Sequence, residues 1–289
     1  MRIDGKFIAE SLLTRLSDDV ASLKEQGIDP TLAVILIGDN PASLAYIKQK
    51  QKAAERIGAR LVLEHQPPSL TSGGLYNLIN RFNKDHLIHG LIVQRPIPEE
   101  VGGVADVLQK IRKEKDVDGF LSDSPFEVPV ALAIGEILRS LPQEGASAPH
   151  TEDSLWQWLR SQKIAIIGRG ETAGAPISRY FAKHNCATSI IHSQTPNPSA
   201  VTAASDIIIS CVGKRDVIVP SAIRQGATLI SVGIWRDSEG KLNGDYDEAA
   251  IADVASYYTP TPGGVGPINV ACLMKNLVKA CTIQKGGNI

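Results

Sequence analysis

The sequence predicts an α/β protein of two domains, on three observations. Short apolar runs of strand length alternate with stretches whose apolar residues recur at helical spacing, the pattern of parallel strands joined by crossover helices. At 289 residues the chain is too long for one typical domain and right for two. A fresh strand–turn–helix pattern opens at Lys163, after a Gly-, Ser- and Pro-bearing stretch from Pro142 to Asp153 that reads as a linker. The expected division is 1–141 plus 262–289 for an N-terminal α/β domain, and 150–261 for a Rossmann-like dinucleotide-binding domain, with the C-terminal helix returning to the first.

In chain order, residues 7–26 carry Ile8, Leu12, Leu13, Leu16, Val20 and Leu23 at helical spacing and stop at Gly27. The run Leu32–Ile37 is a buried strand. The turn Gly38-Asp39-Asn40-Pro41 leads into a helix beginning near Ala42 or Ser43 and ending near Gly58. On that helix Tyr46 and Lys50 share a face. A phenol beside an amine suits proton transfer where burial lowers the lysine from its usual value of about 10.4; a solvated lysine-rich face fits the same pattern. Leu61–Leu63 is a short strand, 72–83 a helix with Leu75, Leu78, Ile79 and Phe82 on one side, and Gly90–Gln94 a third strand. Ligands of such sheets collect at the carboxyl ends of the strands, where Gln94 and the entry to the Tyr46 helix lie. The loop Lys115–Phe120 reads either as an ordinary turn or as a site where Asp118 accepts from an amidine-like N–H pair. Residues 130–141 form a helix.

The second unit opens with Lys163–Ile167 running into Gly168-Arg169-Gly170-Glu171-Thr172-Ala173-Gly174 and an amphipathic helix through Ala182. A pyrophosphate rests on a helix N-terminus in this setting, although the Gly-x-Gly-x-x-x-Gly spacing is one residue longer than the usual fingerprint. Strands at 187–192, 206–212, 228–234 and 255–259 complete a Rossmann-like unit. The second of its strands ends His192-Ser193-Gln194-Thr195, without the acid that reads a ribose 2′-hydroxyl, while Arg169 stands in the glycine loop. A guanidinium and a hydroxyl suit a 2′-phosphate, so NADP is favoured over NAD. The stretch Thr259–Pro267 is dense in proline and glycine. It is either a rigid linker to the last helix or a backbone that a flat ligand approaches closely.

Composition excludes several classes. A net charge of −1 offers no basic surface for nucleic acid. The four cysteines, Cys186, Cys211, Cys272 and Cys281, sit in apolar neighbourhoods without ligand spacing, and no histidine pair has metal-binding spacing, so no metal is expected. No run approaches a membrane span and the first residues carry no apolar signal core, so the expectation is a soluble, cytoplasmic protein.

Taken jointly, Ile3–Lys6, Gly38–Ser43 with Tyr46 and Lys50, Gly90–Pro98, Lys115–Phe120, Gly168-Arg169 with Gly174 and Pro176, His192–Thr195 and Pro262–Pro267 resemble the bifunctional methylenetetrahydrofolate dehydrogenase/methenyltetrahydrofolate cyclohydrolase family over nearly the whole chain. The resemblance implies NADP-dependent oxidation of 5,10-methylenetetrahydrofolate and hydrolysis of the methenyl product to 10-formyltetrahydrofolate. It makes Lys50 the acid/base, Tyr46 its partner flanking the folate, Gln94 the group orienting Lys50, and Asp118 the pterin ligand. Arg169 and Ser193 would hold the 2′-phosphate within a cofactor set of Gly168, Arg169, Gly170, Gly174, Ser193, Gly213 and Ile234. Gly263, Gly264 and Pro267 would join Tyr46, Lys50, Gln94 and Asp118 on the substrate. Homodimers paired through the cofactor domain are implied as well. The sequence departs from the family at Val130–Ala133, Gly170, Ala173, Ser231, Trp235 and Ile268-Asn269, mostly on the cofactor side. Two alternatives therefore stay open, a cyclohydrolase with weakened or lost dehydrogenase and a non-catalytic binding protein.

Overall fold

The computed structural model describes residues 1–142 and 151–286. The expected linker falls largely on residues 143–150, outside the described residues. The elements are α1 (Gly5–Glu25), β1 (Thr31–Ile37), α2 (Pro41–Ile57), β2 (Arg60–Gln66), α3 (Ser72–Lys84), β3 (Gly90–Val93), α4 (Val104–Leu108) and α5 (Pro129–Ser140). Then follow α6 (Glu152–Arg160), β4 (Ile164–Ile167), α7 (Gly174–Lys183), β5 (Thr188–Ile191), α8 (Pro198–Ala203), β6 (Ile207–Ser210) and β7 (Thr228–Ser231). The chain closes with β8 (Trp235–Arg236), β9 (Leu242–Asn243), α9 (Glu248–Ile251), β10 (Tyr257–Tyr258) and α10 (Val265–Gly286).

Two compact units result: residues 10–129 with 270–289, and residues 1–9 with 130–269. Set beside the expected division, residues 1–9, 130–141 and 262–269 go with the second unit. Both units carry parallel sheets, as the alternation of strand and helix predicts.

The first unit has a three-stranded sheet in the order β2-β1-β3. Every residue of β1 is buried, which explains its unbroken apolar run. Ala33, Ile35 and Ile37 of β1 pack with Leu91 and Val93 of β3 and with Leu75, Ile79 and Phe82 of α3. β2 is an edge strand with alternating exposure, and it runs well beyond the Leu61–Leu63 that the sequence suggests. Because β1 pairs β2 on one side and β3 on the other, the strand order reverses between β1 and β3, the switch point at whose carboxyl ends ligands of such sheets bind.

The second unit has a five-stranded sheet in the order β10-β7-β6-β4-β5. Its core gathers Ala165, Ile167, Ile191, Ile208 and Leu229 from the strands with Ile218, Tyr246 and Ile251 from the connections. The switch point lies between β4 and β6, so the loops leaving those two strands face the ligand position of a doubly wound sheet. Arg2 forms a parallel bridge to Tyr258 beyond β10, so the first residues of the chain extend this sheet. A short antiparallel ribbon, β8–β9, was not legible as strand.

Candidate active site

In the first unit the site is built at the β1/β3 switch point. Asn40 caps α2, its side chain accepting from Ala42 N and Ser43 N, and Pro41 fills the first helical position, where a missing N–H costs nothing. That fixes the helix start, and with it the face that turns inward: Ser43, Ile47, Lys50, Ala53, Ala54 and Ile57. Lys48 and Lys52 are exposed whereas Lys50 is only 4% exposed, which decides between a solvated face and a lysine drawn into the protein.

Lys50 Nζ donates to Gln94 Oε1 at 2.9 Å. Gln94 is itself fixed: its backbone N–H donates to Ile35 O at 2.8 Å, and its side-chain amide donates to Arg95 O at 2.7 Å. With the NH₂ end so engaged, the carbonyl end must face Lys50. The Lys50 ammonium position lies 5.0 Å from the Tyr46 ring centroid. Ser43, also buried, donates to Arg95 O at 3.3 Å, so the turn after β3 and the start of α2 are locked together. Burial lowers the Lys50 pKa, opposed by the negative charge of Asp118. Burial raises Asp118, opposed by Lys50 and then Arg95. A neutral amine is therefore accessible well below the ordinary lysine range.

The loop carrying Asp118 is held by buried polar side chains. Lys115 Nζ donates to Phe82 O at 2.8 Å and Asp85 O at 2.7 Å, capping the end of α3. Asp116 accepts from Leu121 N at 2.9 Å, and burial pushes its carboxyl up to about 6. Asn276 of α10 donates to Val117 O at 2.8 Å and Glu127 O at 2.9 Å. Gly119 has φ +71°, and a Cβ there would meet backbone of residues 126–128 at 2.9 Å, so only glycine closes this turn. The first unit thus brings Tyr46, Lys50, Gln94 and Asp118 together. Arg95, whose guanidinium lies 5.0 Å from the Phe120 ring centroid, joins them without having been singled out from the sequence.

In the second unit the loop after β4 turns at Gly168, φ +102°, and α7 begins at Gly174. A Cβ on Gly174 would lie 2.1 Å from Gly168 O, so the turn can close on the helix only with glycine there. Arg169, Gly170 and Ser193 are exposed around this turn, and among the described residues nothing lies near a Cβ built on Gly170. These are the features of a dinucleotide cradle: open backbone at a helix start, with a cation and a hydroxyl exposed at its rim. Gly213, φ +72°, packs on Ile234 O, with Ile234 exposed. Gly263, φ +103°, borders a pocket of about 400 Å³ shared with Arg2, Asp4, Lys6 and Pro260. Gly264 packs its carbonyl on Gly5, and Pro267 lies in the first turn of α10. Of the departures, Trp235 donates its indole N–H to Gly244 O at 2.7 Å within the β8–β9 ribbon, and Ser231 accepts from Asp245 N at 2.9 Å.

Sequence reasoning missed Asp245. This carboxylate is fully buried and accepts from Ser210 Oγ at 2.5 Å, Val212 N at 3.0 Å, Gly213 N at 2.7 Å and Lys214 N at 2.9 Å. Among the described residues there is no cluster fit to hold a metal ion and no helix long and apolar enough to cross a membrane.

A buried, amide-oriented lysine in one α/β unit and a dinucleotide cradle in another define a nicotinamide-dependent enzyme with acid–base capacity. Comparison with known proteins gives the family. Residues 3–118 match the family described as tetrahydrofolate dehydrogenase/cyclohydrolase, catalytic domain, and residues 154–285 match its NAD(P)-binding domain. The chain belongs to the tetrahydrofolate dehydrogenase/cyclohydrolase family. It is 37% identical over 282 residues to the bifunctional protein FolD of Geobacillus thermodenitrificans, with 96% of each chain covered. It is 38% identical over 291 residues to that of Bacillus licheniformis, with 98% of each covered. The crystal structure of the bifunctional FolD enzyme from Campylobacter jejuni superposes with a TM-score of 0.89 at 31% identity, covering 98% of this chain and 99% of that one. The Trypanosoma brucei enzyme, crystallised with NADP and an inhibitor, gives 0.86 at 29% identity, covering 98% and 97%.

Proposed function

We propose that the protein oxidises 5,10-methylenetetrahydrofolate with NADP⁺ and hydrolyses the resulting 5,10-methenyltetrahydrofolate to 10-formyltetrahydrofolate. The observation that carries this is the buried Lys50 amine on Gln94, with Tyr46 and Asp118 beside it, in a chain that also holds a dinucleotide cradle.

Lys50 is the acid/base. In its neutral form it gives one N–H to Gln94 and keeps a lone pair for a water proton. Water attacks the methenyl carbon as Lys50 takes that proton; the C–N5 bond then breaks and Lys50 returns the proton to N5. The formyl group stays on N10, and one proton leaves with the net addition of water to a cation. Gln94 aims the amine, Asp118 accepts from the pterin N–H pair, and Tyr46 lies along the folate. NADP, when bound, supplies the hydride acceptor. Gly168, Gly170 and Gly174 would hold its pyrophosphate at the start of α7, Arg169 and Ser193 would take the 2′-phosphate, and Gly213 and Ile234 would contribute the remaining contacts. Gly263, Gly264 and Pro267 complete the substrate contacts. We also place the protein in the cytoplasm as a homodimer, which sedimentation at micromolar concentration checks.

Two assays on purified protein test the reading: loss of methenyltetrahydrofolate without nicotinamide, and oxidation of methylenetetrahydrofolate with NADP⁺ or NAD⁺. Activity in both, with NADP⁺ preferred, is expected. Hydrolysis alone transfers the conclusion to a cyclohydrolase that has lost hydride transfer, and silence in both leaves a binding protein. Arg169→Ala is expected to weaken NADP⁺ at least tenfold more than NAD⁺, since a charge-assisted contact to phosphate is worth about 1.5–3 kcal/mol; equal weakening refutes the assignment.

A further inference from the structure

We propose that Asp245 is the positioning residue of the cofactor site: its carboxylate sets the backbone of the loop Cys211–Lys214, so that the loop can receive the dinucleotide at the β4/β6 switch point. The inference rests on the NADP reading above and deepens it.

Three successive backbone N–H groups, at Val212, Gly213 and Lys214, converge on one carboxylate, which also accepts the Ser210 hydroxyl. Successive backbone N–H groups in a turn form a concavity that suits an anion. The anion here comes from the protein itself and is fully buried, while Val212 and Lys214 of the loop are exposed, so the conformation is imposed from within the protein. The loop leaves β6, the strand beside β4 at the switch point, and it also abuts the glycine turn: a Cβ on Gly168 would meet Cys211 O at 3.1 Å. A shift in residues 211–214 therefore reaches both sides of the cradle.

The carboxylate is itself tightly seated. Asp245 N donates to Ser231 Oγ at 2.9 Å, and Ile218 N donates to Asp245 O at 3.0 Å. Gly233 forms the floor: a Cβ there would lie 2.3 Å from Asp245 Oδ2 and 2.3 Å from Gly213 N. Gly233 lacks a side chain because the carboxylate and the loop occupy that space. Two features neighbour the carboxylate and its loop. Burial, and after it the Asp245 charge, push the Cys211 thiol up to about 12. Val212 and Ile234 on the outer side remain exposed, an apolar surface beside the loop suited to a flat ring.

Asp245→Asn keeps one acceptor oxygen but turns an NH₂ toward donors; Gly233→Ala pushes a methyl into the same space; Ser210→Ala removes one donor and keeps the carboxylate. The test measures Kd for NADP⁺ by fluorescence titration, KM for NADP⁺ in the oxidation, and the nicotinamide-free hydrolysis rate. Asp245→Asn and Gly233→Ala are expected to raise Kd and KM for NADP⁺ roughly tenfold or more, the weight of one hydrogen bond to a charged group, with hydrolysis within twofold of wild type. Ser210→Ala, which is the mildest change and keeps the protein folded should the others fail, is expected to raise Kd several-fold. Unchanged Kd in folded variants overturns the inference and leaves the cofactor reading standing. Parallel loss of hydrolysis and binding also overturns it, by making Asp245 a general stabiliser. A wild-type protein that binds no NADP⁺ overturns the cofactor reading and this inference with it.

Discussion

Replacing Lys50 with methionine separates chemistry from stability. The lysine is buried, and its amine donates to Gln94 Oε1 at 2.9 Å. Losing that donor leaves a buried acceptor unpaired, a cost of about 1–3 kcal/mol. Methionine refills the volume of the lysine stem and removes the desolvation of an amine, which offsets part of that cost. The net change is expected to be about 1–2 kcal/mol, a few degrees in Tm for a protein of this size. The catalytic loss is larger, because a positioned general base contributes roughly 10²–10⁴-fold, or about 3–5 kcal/mol of barrier. The assay is methenyltetrahydrofolate hydrolysis without nicotinamide, beside a thermal melt and a folate-binding titration. The expected result is a folded, folate-binding protein at least a hundredfold slower. A folded Lys50→Met protein hydrolysing within tenfold of wild type refutes the reasoning. The pH profile gives a second check. Burial lowers Lys50, so wild-type hydrolysis should rise with pH and level off below the ordinary lysine range; a profile still rising at about pH 10.4 contradicts the neutral-amine argument.

Three further perturbations test the supports of the two sites. Gly174→Ala places a methyl 2.1 Å from Gly168 O and should cost about 1–3 kcal/mol by overpacking, with NADP⁺ binding lost and hydrolysis kept; retained NADP⁺ affinity would show that the turn is not the cradle. Asn276→Ala strips one buried and one part-buried carbonyl flanking the Asp118 loop of their donor, which should destabilise by roughly 2–4 kcal/mol and raise the folate KM more than it lowers kcat; an unchanged KM in steady-state hydrolysis argues that the clamp only stabilises. Asp116 titrates at about 6 against an ordinary 3.8, so the folded state binds a proton more readily than the unfolded one. Its ionisation therefore costs stability that is fully lost above pH 6 and recovered as pH falls from 6 toward 3.8, about 3 kcal/mol in all. Asp116→Asn can still accept from Leu121 N, so it should be more stable than wild type at pH 7.5, with the advantage vanishing near pH 4; a pH-independent difference in denaturant melts would rule this account out.

What could be read from the sequence followed the range of the interactions. β1 and β4 were legible because a strand buried on both faces is an unbroken apolar run. The Tyr46–Lys50 pairing was legible because four residues is one helical turn, and the Gly168–Gly174 turn because close backbone approach demands glycine. Which lysine of α2 is buried was not legible: Lys48, Lys50 and Lys52 look alike until the cap at Asn40 fixes the helix rotation. α6 has no counterpart in the sequence reading, whose linker covers only its first two residues, although Thr151 caps it and Leu155, Trp156 and Leu159 form its buried side. The ribbon β8–β9 has strands of only two residues, too short for a period to show. Asp245 escaped notice because its four donors lie 31–35 residues upstream, and an Asp in a Gly-Asp-Tyr turn reads as an ordinary turn residue. The signal that could have found it is the pairing of Gly213 with Gly233, two glycines whose missing side chains leave room for one carboxylate.

The chain visits its two units in the order second, first, second, first: residues 1–9, 10–129, 130–269 and 270–289. No single cut therefore releases either unit whole. During synthesis the strands β1 and β3 leave the ribosome well before Asn276, which fastens the Asp118 loop and is made 159 residues after its partner Val117. Nascent chains should accordingly stay protease-sensitive around residues 115–128 until α10 emerges. A fragment ending before Val265 should be unable to hydrolyse methenyltetrahydrofolate, although it contains Tyr46, Lys50, Gln94 and Asp118.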